Sequence, residues 1–357
     1  MSRFAAVGMQ IALALLALSI AACAGPPVLE RQVVGYDEVT SRLNQSLLLL
    51  NVARVDHGHP VHFTSTSSIA ATFNWSTTLG VGGEQHRNKS DSFLSFSIGA
   101  SAAENPTFSI IPLSGQEFTK RILTPFRDEV FEFLVFQGGA IDRVMRLLAG
   151  GIEEQNADGS FVRFIENNPA RPGEYREFRR IASHLRWLND SRKLFVRSLV
   201  FEQTLASLKE SPKPAEIIDA HKEGMQWTRL PDGQFALTRL EAGRVIVSNV
   251  DPMSLSDRER FELNEKIRRN PSGFVYLDIR PGAPGGDFPI RGAIKLRSML
   301  QMLVFVATGA RALPEFDVAP DSRTGPVGGN PRSTLDIEIT ESSPAETIAS
   351  IQFAGRI

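Results

Sequence analysis

Cysteine is almost absent from this chain of 357 residues, in which Cys23 is the single example. One cysteine excludes an intramolecular disulfide, and it also excludes the clustered thiolates of a structural zinc site. The folded chain therefore has to be stabilised by packing and hydrogen bonding. Its 42% hydrophobic content is enough for one or two sizeable cores.

An excess of charge of either sign is also missing. The 39 lysines and arginines are balanced by 40 aspartates and glutamates, which leaves a net charge of −1. Binding to nucleic acid relies on a basic surface, so this balance predicts no nucleic-acid partner.

The common catalytic motifs are missing as well. The chain contains no G-x-S-x-G elbow, no P-loop and no H-E-x-x-H sequence, and we expect neither an enzymatic activity nor a cofactor. The histidines of residues 56–62, DHGHPVH, could in principle bind zinc through neutral imidazoles. Gly58 and Pro60 instead predict a solvated turn, so no metal site is expected.

The first long apolar run lies at the N-terminus. Arg3 precedes residues 11–22, IALALLALSIAA, which end in small side chains. This is the arrangement of a secretory signal peptide, and the run is shorter than the ~20 residues that span a bilayer as a helix. The tetrapeptide Ile20-Ala21-Ala22-Cys23 resembles the lipobox of bacterial lipoproteins. The alternative is an ordinary secretory signal beside a chance cysteine.

The lipobox resemblance implies that residues 1–22 are removed as a lipoprotein signal peptide and that Cys23 is the lipid attachment site. Residues 23–36 would form the lipidated tether, held in the bilayer by acyl chains at about 0.8 kcal/mol per buried CH₂. Ala24, rather than aspartate, follows the cysteine. In enterobacterial lipoproteins this goes with transfer to the outer membrane, so the resemblance implies an anchor in the cell outer membrane and a body facing the periplasm.

Residues 37–357 are predicted to form an α+β body that mixes helices and antiparallel strands with one long amphipathic β-hairpin. Apolar spacing, caps and breakers predict helices at 37–55, 114–123, 127–137, 140–149, 173–190, 214–223, 256–269 and 290–310. Alternation and turn residues predict strands at 105–113, 159–166, 193–205, 225–230, 234–239, 243–249, 272–279, 333–340 and 346–353.

The hairpin is predicted from two uncharged ribbons, IAATFNWSTTLGVG at 69–82 and FLSFSIGASA at 93–102, joined by the polar sequence EQHRNKSD. Successive residues of a strand alternate between its two faces. One set, the apolar face, consists of Ile69, Ala71, Phe73, Trp75, Thr77, Leu79 and Val81 with Leu94, Phe96, Ile98, Ala100 and Ala102. The other set, the polar face, consists of Ala70, Thr72, Asn74, Ser76, Thr78, Gly80 and Gly82 with Ser95, Ser97, Gly99 and Ser101.

Two-faced ribbons of this length without charge favour a membrane hairpin at 66–103. Strands of globular proteins usually have about 5–6 residues, whereas a membrane-spanning strand needs about 9–11. A lipid-facing Arg or Lys at the bilayer midplane costs about 2–4 kcal/mol, which an uncharged face avoids. The candidate membrane residues are Phe73, Trp75, Leu79, Val81, Leu94, Phe96 and Ile98. The alternative is a soluble sheet or a subunit interface.

A membrane hairpin would have to be shared between protomers. Unpaired backbone groups in hydrocarbon cost several kcal/mol each, and the smallest ordinary barrels have about eight strands. One chain supplies two such ribbons, so we expect a homo-oligomer of about four or more protomers. This architecture is similar to that of the curli secretion channel, a lipoprotein whose protomers each donate hairpins to a common barrel.

The segments that flank the ribbons resemble an uncharacterised group of proteobacterial lipoproteins. Its members carry an LLN-x-x-R helix, a P-x-x-F step and a P-T-x-S-x-x-P-L-x-G-x-E-F step. The matching residues are Asn51, Arg54, Pro60, Phe63, Pro106, Thr107, Ser109, Pro112, Leu113, Gly115, Glu117 and Phe118. The resemblance covers about residues 40–150 and implies an outer-membrane lipoprotein without an assigned activity.

These observations favour an outer-membrane lipoprotein that oligomerises and donates its hairpin to a shared transmembrane barrel, as a pore or export component. The alternative is a membrane-tethered periplasmic module that binds or assembles other envelope proteins without forming a pore.

Overall fold

The computed structural model describes residues 25–84, 93–271, 273–341 and 347–354, with residues 25–32 and 65–110 described by their backbone. They divide into two compact units. One comprises residues 61–119, and the other, the body, comprises residues 25–60 and 120–354. The helices are α1 (Gly25–Asp56), α2 (Gln116–Leu123), α3 (Asp128–Phe136), α4 (Ile141–Leu148), α5 (Pro172–Asp190), α6 (Pro214–Lys222), α7 (Asp257–Ile267) and α8 (Met299–Arg311). The strands are β1 (Phe63–Glu84), β2 (Phe93–Leu113), β3 (Ala149–Gln155), β4 (Phe161–Glu166), β5 (Phe195–Leu208), β6 (Met225–Arg229), β7 (Phe235–Ser248), β8 (Phe274–Ile279) and β9 (Ile290–Leu296).

The unit of residues 61–119 is an antiparallel hairpin of β1 and β2 followed by the start of α2. Its strands are longer than predicted, with 22 residues in β1 and 21 in β2. The segment 105–113, predicted as a separate strand, is the second half of β2. At about 3.4 Å per residue, each strand extends over roughly 70 Å.

The body is built on a seven-stranded sheet with the order β4-β3-β9-β8-β7-β5, to which β6 adds by pairing with β7. All neighbouring strands are antiparallel except β7 and β8, which are parallel. The connection between these two strands contains α7, as a parallel pair requires a crossover. The α+β class predicted from the sequence is confirmed.

The main core lies between the sheet and helices α3, α4 and α5. The strands contribute fully buried aliphatic residues, and the helices contribute Phe131, Met145, Phe178 and Leu185. Apolar residues recur along α5 at helical spacing, so one face of this amphipathic helix packs on the sheet. Helix α1 begins at Gly25 rather than near residue 37, and its C-terminal part packs against α8.

The segment 290–310, predicted as one apolar helix, is instead strand β9 followed by helix α8. Ser298 caps the helix, since its hydroxyl accepts a hydrogen bond from the backbone N–H of Gln301, whose side chain returns to the Ser298 N–H. This capping box marks the boundary between two apolar elements, a strand and a helix, whose side chains repeat at different intervals. β9 is central in the sheet, which explains why it is as apolar as a buried helix.

The chain after α8 has an extended but irregular path. The strands predicted at 333–340 and 346–353 are not formed at 333–340 or at 347–352. Residues 313–335, here called the strap, lie across the body without joining its sheet. Among the described residues, no helix is both long enough and apolar enough to cross a membrane.

Candidate functional site

The register of β1 and β2 brings the apolar positions of both strands to one face of the hairpin. Leu79 lies opposite Ile98, and Val81 lies opposite Phe96. Residues directly opposite each other in an antiparallel pair share a face of the sheet. The predicted apolar faces of the two ribbons are therefore one continuous face, and the same holds for the polar face. Phe73, Trp75 and Leu94 lie in the same register, opposite Glu104, Ala102 and Gly83.

Charged residues occur at only two positions within β1 and β2. Glu84 is opposite Phe93 at the loop end of the hairpin, and Glu104 is opposite Phe73 near its middle. Between them lie ten rows of paired residues, from Asn74–Ala103 to Gly83–Leu94, and none contains a charged residue. We call these ten rows the loop-side half and the rows from Phe63–Leu113 to Thr72–Asn105 the base half.

Both outer edges of the hairpin are open. β1 and β2 form a two-stranded sheet and, within the described part of the chain, neither pairs with a further strand. Isolated two-stranded hairpins are marginally stable in water, and long edges invite pairing with other chains. The hairpin therefore offers backbone donors and acceptors to a partner along its length.

The body, by contrast, protects the edge strand of its own sheet. The backbone N–H of Ser198 in β5 donates to Oε1 of Glu132 at 2.9 Å, and the N–H of Glu202 donates to Oδ1 of Asp257 at 3.0 Å. These carboxylates, from α3 and α7, occupy edge donors that a foreign strand would otherwise use. Side chains therefore cover an edge of the body's sheet, whereas among the described residues no strand covers an edge of the hairpin.

Residues of the family resemblance gather at the base of the hairpin. Phe63 pairs with Leu113 in the first row, and its ring packs against Phe118 of α2 with centroids 5.9 Å apart. Gly115 has φ +91°, a left-handed conformation that glycine adopts at little cost, and it lies in the two-residue connection between β2 and α2. These residues join the hairpin to the helix that follows it. In α1, Arg54 donates to Oδ1 of the buried Asn51 at 3.2 Å.

A buried ionic cluster, which the sequence did not indicate, fastens the strap to the body. Arg146 of α4 donates through Nη2 to Oε2 of Glu315 at 2.8 Å, and the hydroxyl of Tyr175 donates to the same oxygen at 2.8 Å. Arg179 of α5 donates to the Tyr175 hydroxyl, to Oδ1 of Asn330 and to carbonyl groups of the strap. Arginine side chains thus take the place of a neighbouring strand in satisfying the strap's carbonyls.

The electrostatics of the cluster follow from burial and pairing. Burial alone would raise the pKa of Glu315, but the hydrogen bond and charge of Arg146 outweigh it and the pKa is lowered. Burial raises the pKa of the Tyr175 hydroxyl to about 12 and lowers the pKa of Arg297 to about 10. A pKa of about 10 keeps Arg297 cationic near neutral pH. Its guanidinium donates to three backbone carbonyls and lies 3.9 Å from the ring centroid of Phe305.

His184 lies beneath the strap and is fully buried. Its Nε2 is 3.1 Å from the carbonyl of Gly285, which can only accept, so Nε2 carries the proton and Nδ1 accepts from the hydroxyl of Thr324. Burial lowers the pKa of His184, and the charge of Arg323 acts in the same direction. The residue is a neutral packing element held between α5, the 280–289 loop and the strap.

A cavity of about 320 Å³ opens where α4 begins and is lined in part by Gly138, Asp142, Arg186 and Gly329. Two of its charged groups bind each other, because Arg186 donates to Oδ1 of Asp142 at 2.9 Å. No group of three or more His, Cys, Asp or Glu side chains suited to a metal ion occurs in the described ranges.

The histidine-containing segment 56–62 follows α1 as a turn. Gly58 has φ +70°, Nδ1 of His57 donates to the carbonyl of Ala53 at 2.9 Å, and the ring packs edge-on against Phe353. His59 contacts the same phenylalanine ring. The imidazoles therefore serve as packing and capping groups in this turn.

Helix α3 exposes an apolar stripe to solvent. Val130, Phe133 and Phe136 recur at intervals of three residues, and Phe136 is 87% exposed. Residues at this spacing lie on one side of a helix. The body therefore presents a second surface, besides the hairpin, that is suited to contact with another molecule.

Comparison of the chain with protein-family models, with curated protein sequences and with solved structures gives no match. The resemblance to proteobacterial lipoproteins and the lipobox at Cys23 therefore stay predictions. Cys23 lies outside the described residues, as does most of the connecting sequence between β1 and β2.

Proposed function

We propose that the protein is an outer-membrane lipoprotein, anchored through acylated Cys23, whose protomers donate their hairpins to a shared transmembrane barrel that acts as a pore or an export component. The observation that carries the proposal is the register of β1 and β2. It places the apolar positions of both strands on one face, through ten charge-free rows. In the part of the chain that the structure describes, no further strand pairs with either outer edge.

A shared barrel resolves the instability of the single hairpin. Each open edge that pairs with the edge of a neighbouring copy gains a ladder of backbone hydrogen bonds, and closure removes the last edge. With about eight strands as the smallest ordinary barrel, the ring needs about four or more protomers. The apolar face would contact hydrocarbon, and the polar face would line the lumen.

The polar face is suited to a water-filled lumen without charge selectivity. Within the loop-side half it consists of serine, threonine, asparagine and glycine, with Ala103 as the one apolar exception, and its side chains are small. Hydroxyl and amide groups can bind water or polar solutes of either charge. A lumen of this kind fits the passage of hydrated solutes or extended polypeptide better than that of one ion species.

The proposal is tested by a charge placed on either face at the same depth. Leu79 and Thr78 are neighbours near the middle of the ten rows, on the apolar and the polar face respectively. Leu79→Arg is expected to abolish conductance of the purified protein in planar bilayers, since a lipid-facing Arg at the midplane costs about 2–4 kcal/mol per protomer. Thr78→Arg is expected to conduct and to shift selectivity toward anions.

Equal conductance of both variants and of the wild type would show that the apolar face does not contact lipid. The thermal unfolding of the body serves as the folding control, because residues 61–119 form a separate unit.

The alternative, a tethered module that binds other envelope proteins without forming a pore, draws support from the apolar stripe of α3. Phe133 and Phe136 are 57% and 87% exposed, and a protein partner could cover them. Phe136→Ser would then abolish partner binding. Under the shared-barrel proposal the same variant keeps the conductance of the wild type.

A further inference from the structure

Glu104 occupies the apolar face of the hairpin. It pairs with Phe73, which belongs to the series Phe73, Trp75, Leu79 and Val81, and paired residues share a face. An acidic residue that faces hydrocarbon near the centre of a bilayer costs about 2.5–3.5 kcal/mol on insertion scales. In a ring this cost would arise once for every protomer. The row of Glu104 therefore has to lie at or beyond the edge of the hydrocarbon.

We infer, on the basis of the proposed function, that the bilayer's hydrocarbon covers only the loop-side half of the hairpin, with Glu104 at the headgroups on one side, Glu84 at those on the other, and the base half standing in water as a stalk. This divides a hairpin that looks uniform in the sequence into a membrane segment and an extramembrane segment.

The length of the loop-side half agrees with this division. Ten rows extend about 34 Å along the strands, and at the ~45° tilt of membrane strands they cover about 24 Å of depth. The apolar band of transmembrane barrels is about 25 Å tall. The full length of β1, with 22 residues, would by the same arithmetic cover about 50 Å and overshoot the bilayer.

Residues that interrupt strand pairing are confined to the base half. Pro106 lies opposite Ala71, Pro112 lies opposite Thr64, and the register shifts between Thr66 and Ser68. Prolines and bulges are devices that blunt the free edge of a strand, since a proline nitrogen has no proton to donate. The loop-side half contains neither, so its edges remain fully able to pair with neighbouring copies.

Aromatic residues mark the two ends of the loop-side half. Phe73 and Trp75 lie at its inner boundary beside Glu104, and Phe96 lies toward the loop on the same face. Aromatic girdles at both interfaces are typical of transmembrane barrels, and the rows between them carry aliphatic and small residues on the apolar face.

The test is a depth scan with arginine along the apolar face, at Leu79, Trp75 and Ala71, read out as the native mass of the full-length protein in detergent and as bilayer conductance. We expect Leu79→Arg to lose both the ring and the conductance, Trp75→Arg to lose part of each, and Ala71→Arg to retain both. The cost of a lipid-facing Arg falls from about 2–4 kcal/mol at the midplane to about 0–1 kcal/mol near the interfaces, which predicts this gradient.

The outcomes separate the two proposals. If Leu79→Arg and Ala71→Arg both lose the ring, the base half is also buried, and the division at Glu104 is overturned while the shared barrel stands. If the wild type forms no ring, or none of the variants loses it, the proposed function itself is overturned.

Cysteine variants give a second measurement that introduces no charge. In reconstituted vesicles, Ala71→Cys should react with a membrane-impermeant maleimide and Leu79→Cys should not. Equal labelling of the two would contradict the division.

Discussion

Arg146 and Glu315 are 169 residues apart in the chain and form an ion pair in the interior of the body, with Nη2 and Oε2 separated by 2.8 Å. Both side chains are nearly inaccessible to solvent. Glu315 also accepts hydrogen bonds from the backbone N–H and the hydroxyl of Thr334, at 2.6 and 3.1 Å. One carboxylate therefore joins α4 to two separate parts of the strap.

Glu315→Gln is expected to destabilise the body by about 3–5 kcal/mol, because it leaves the buried guanidinium of Arg146 without its counter-charge. The measurement is the free energy of unfolding from urea titration. Glu262→Gln is the matched control: Glu262 pairs with Arg258 on an exposed face of α7, where ion pairs contribute little. Equal losses in the two variants would show that Glu315 has no special role in holding the strap.

Gly292→Ala is expected to destabilise the body by about 1–3 kcal/mol. A Cβ at Gly292, in the central strand β9, would lie 2.0 Å from the carbonyl oxygen of Glu153 in β3, so the strand pair would have to separate. Gly309→Ala in α8 is the control, since nothing lies within 4 Å of its Cβ position. Alanine there should stabilise the protein by about 0.5–1 kcal/mol. Thermal unfolding of the two variants should move in opposite directions, and a common direction would refute the packing assigned to β9.

Stability is expected to decrease as the pH falls below about 6.5, in part through His184. Its pKa in the folded protein is lowered, so the unfolded chain binds a proton that the folded chain does not. Protonation of this group in the unfolded chain lowers the free energy of unfolding by up to about 1.4 kcal/mol per pH unit. This loss extends from the unfolded pKa down to the folded pKa. Above the unfolded pKa, the contribution of His184 to the free energy of unfolding does not change with pH.

The measurement is the slope of unfolding free energy against pH between about 7.5 and 5.5 (about one unit either side of the pKa of a free histidine) for the wild type and His184→Gln. The variant should show the smaller slope, and the exposed His221, changed to Gln, should leave it unaltered. An unchanged slope in His184→Gln would mean that this buried imidazole does not govern the pH response.

The mature protein is expected to begin at Cys23 and to carry acyl chains on it. Intact-mass spectrometry of membrane-extracted protein checks this directly, and Cys23→Ser should abolish the added mass. A mass that corresponds to an unmodified chain would exclude the lipoprotein anchor, while leaving the hairpin proposal open to test by itself.

Much of the fold could be predicted from the periodicity of apolar residues and from the residues that break helices and strands. The helices predicted at 127–137, 140–149 and 173–190 are α3, α4 and α5 to within a few residues, because breakers such as Gly138 and a clear apolar face define them. The strand at 272–279 is β8, for similar reasons. These elements are determined by local signals, and the structure adds only their exact limits.

The errors lie where tertiary contacts override local signals. The sequence predicts two strands at 234–239 and 243–249, whereas β7 runs unbroken from Phe235 to Ser248. Gly243 allows close packing against α7, since a Cβ there would lie 2.3 Å from Oδ1 of Asn264. The sequence predicts no strand at β3, since Gly150 and Gly151 usually mark a loop. In the structure, Gly151 allows close pairing with β4 beside Phe164. The single helix predicted at 290–310 does not include the β9–α8 boundary, although the Ser298–Gln301 capping box is visible in the sequence.

The candidate site was predictable in its chemistry and incomplete in its geometry. Alternation alone gave the two faces of the ribbons, but it could not give the pairing of β1 with β2. Only the register shows that Glu104 lies opposite Phe73 and that the strand continues through Pro106 to Leu113. The arginine cluster had no local signal, because Arg146, Arg179 and Glu315 come together only in the folded body.

The native mass of the detergent-extracted protein, with and without residues 66–103, tests the shared barrel most directly. The account predicts a ring of about four or more protomers for the full chain. It predicts a folded monomer after removal of the hairpin, whose absence leaves the body's sheet and core intact. A folded monomer in both cases would contradict it.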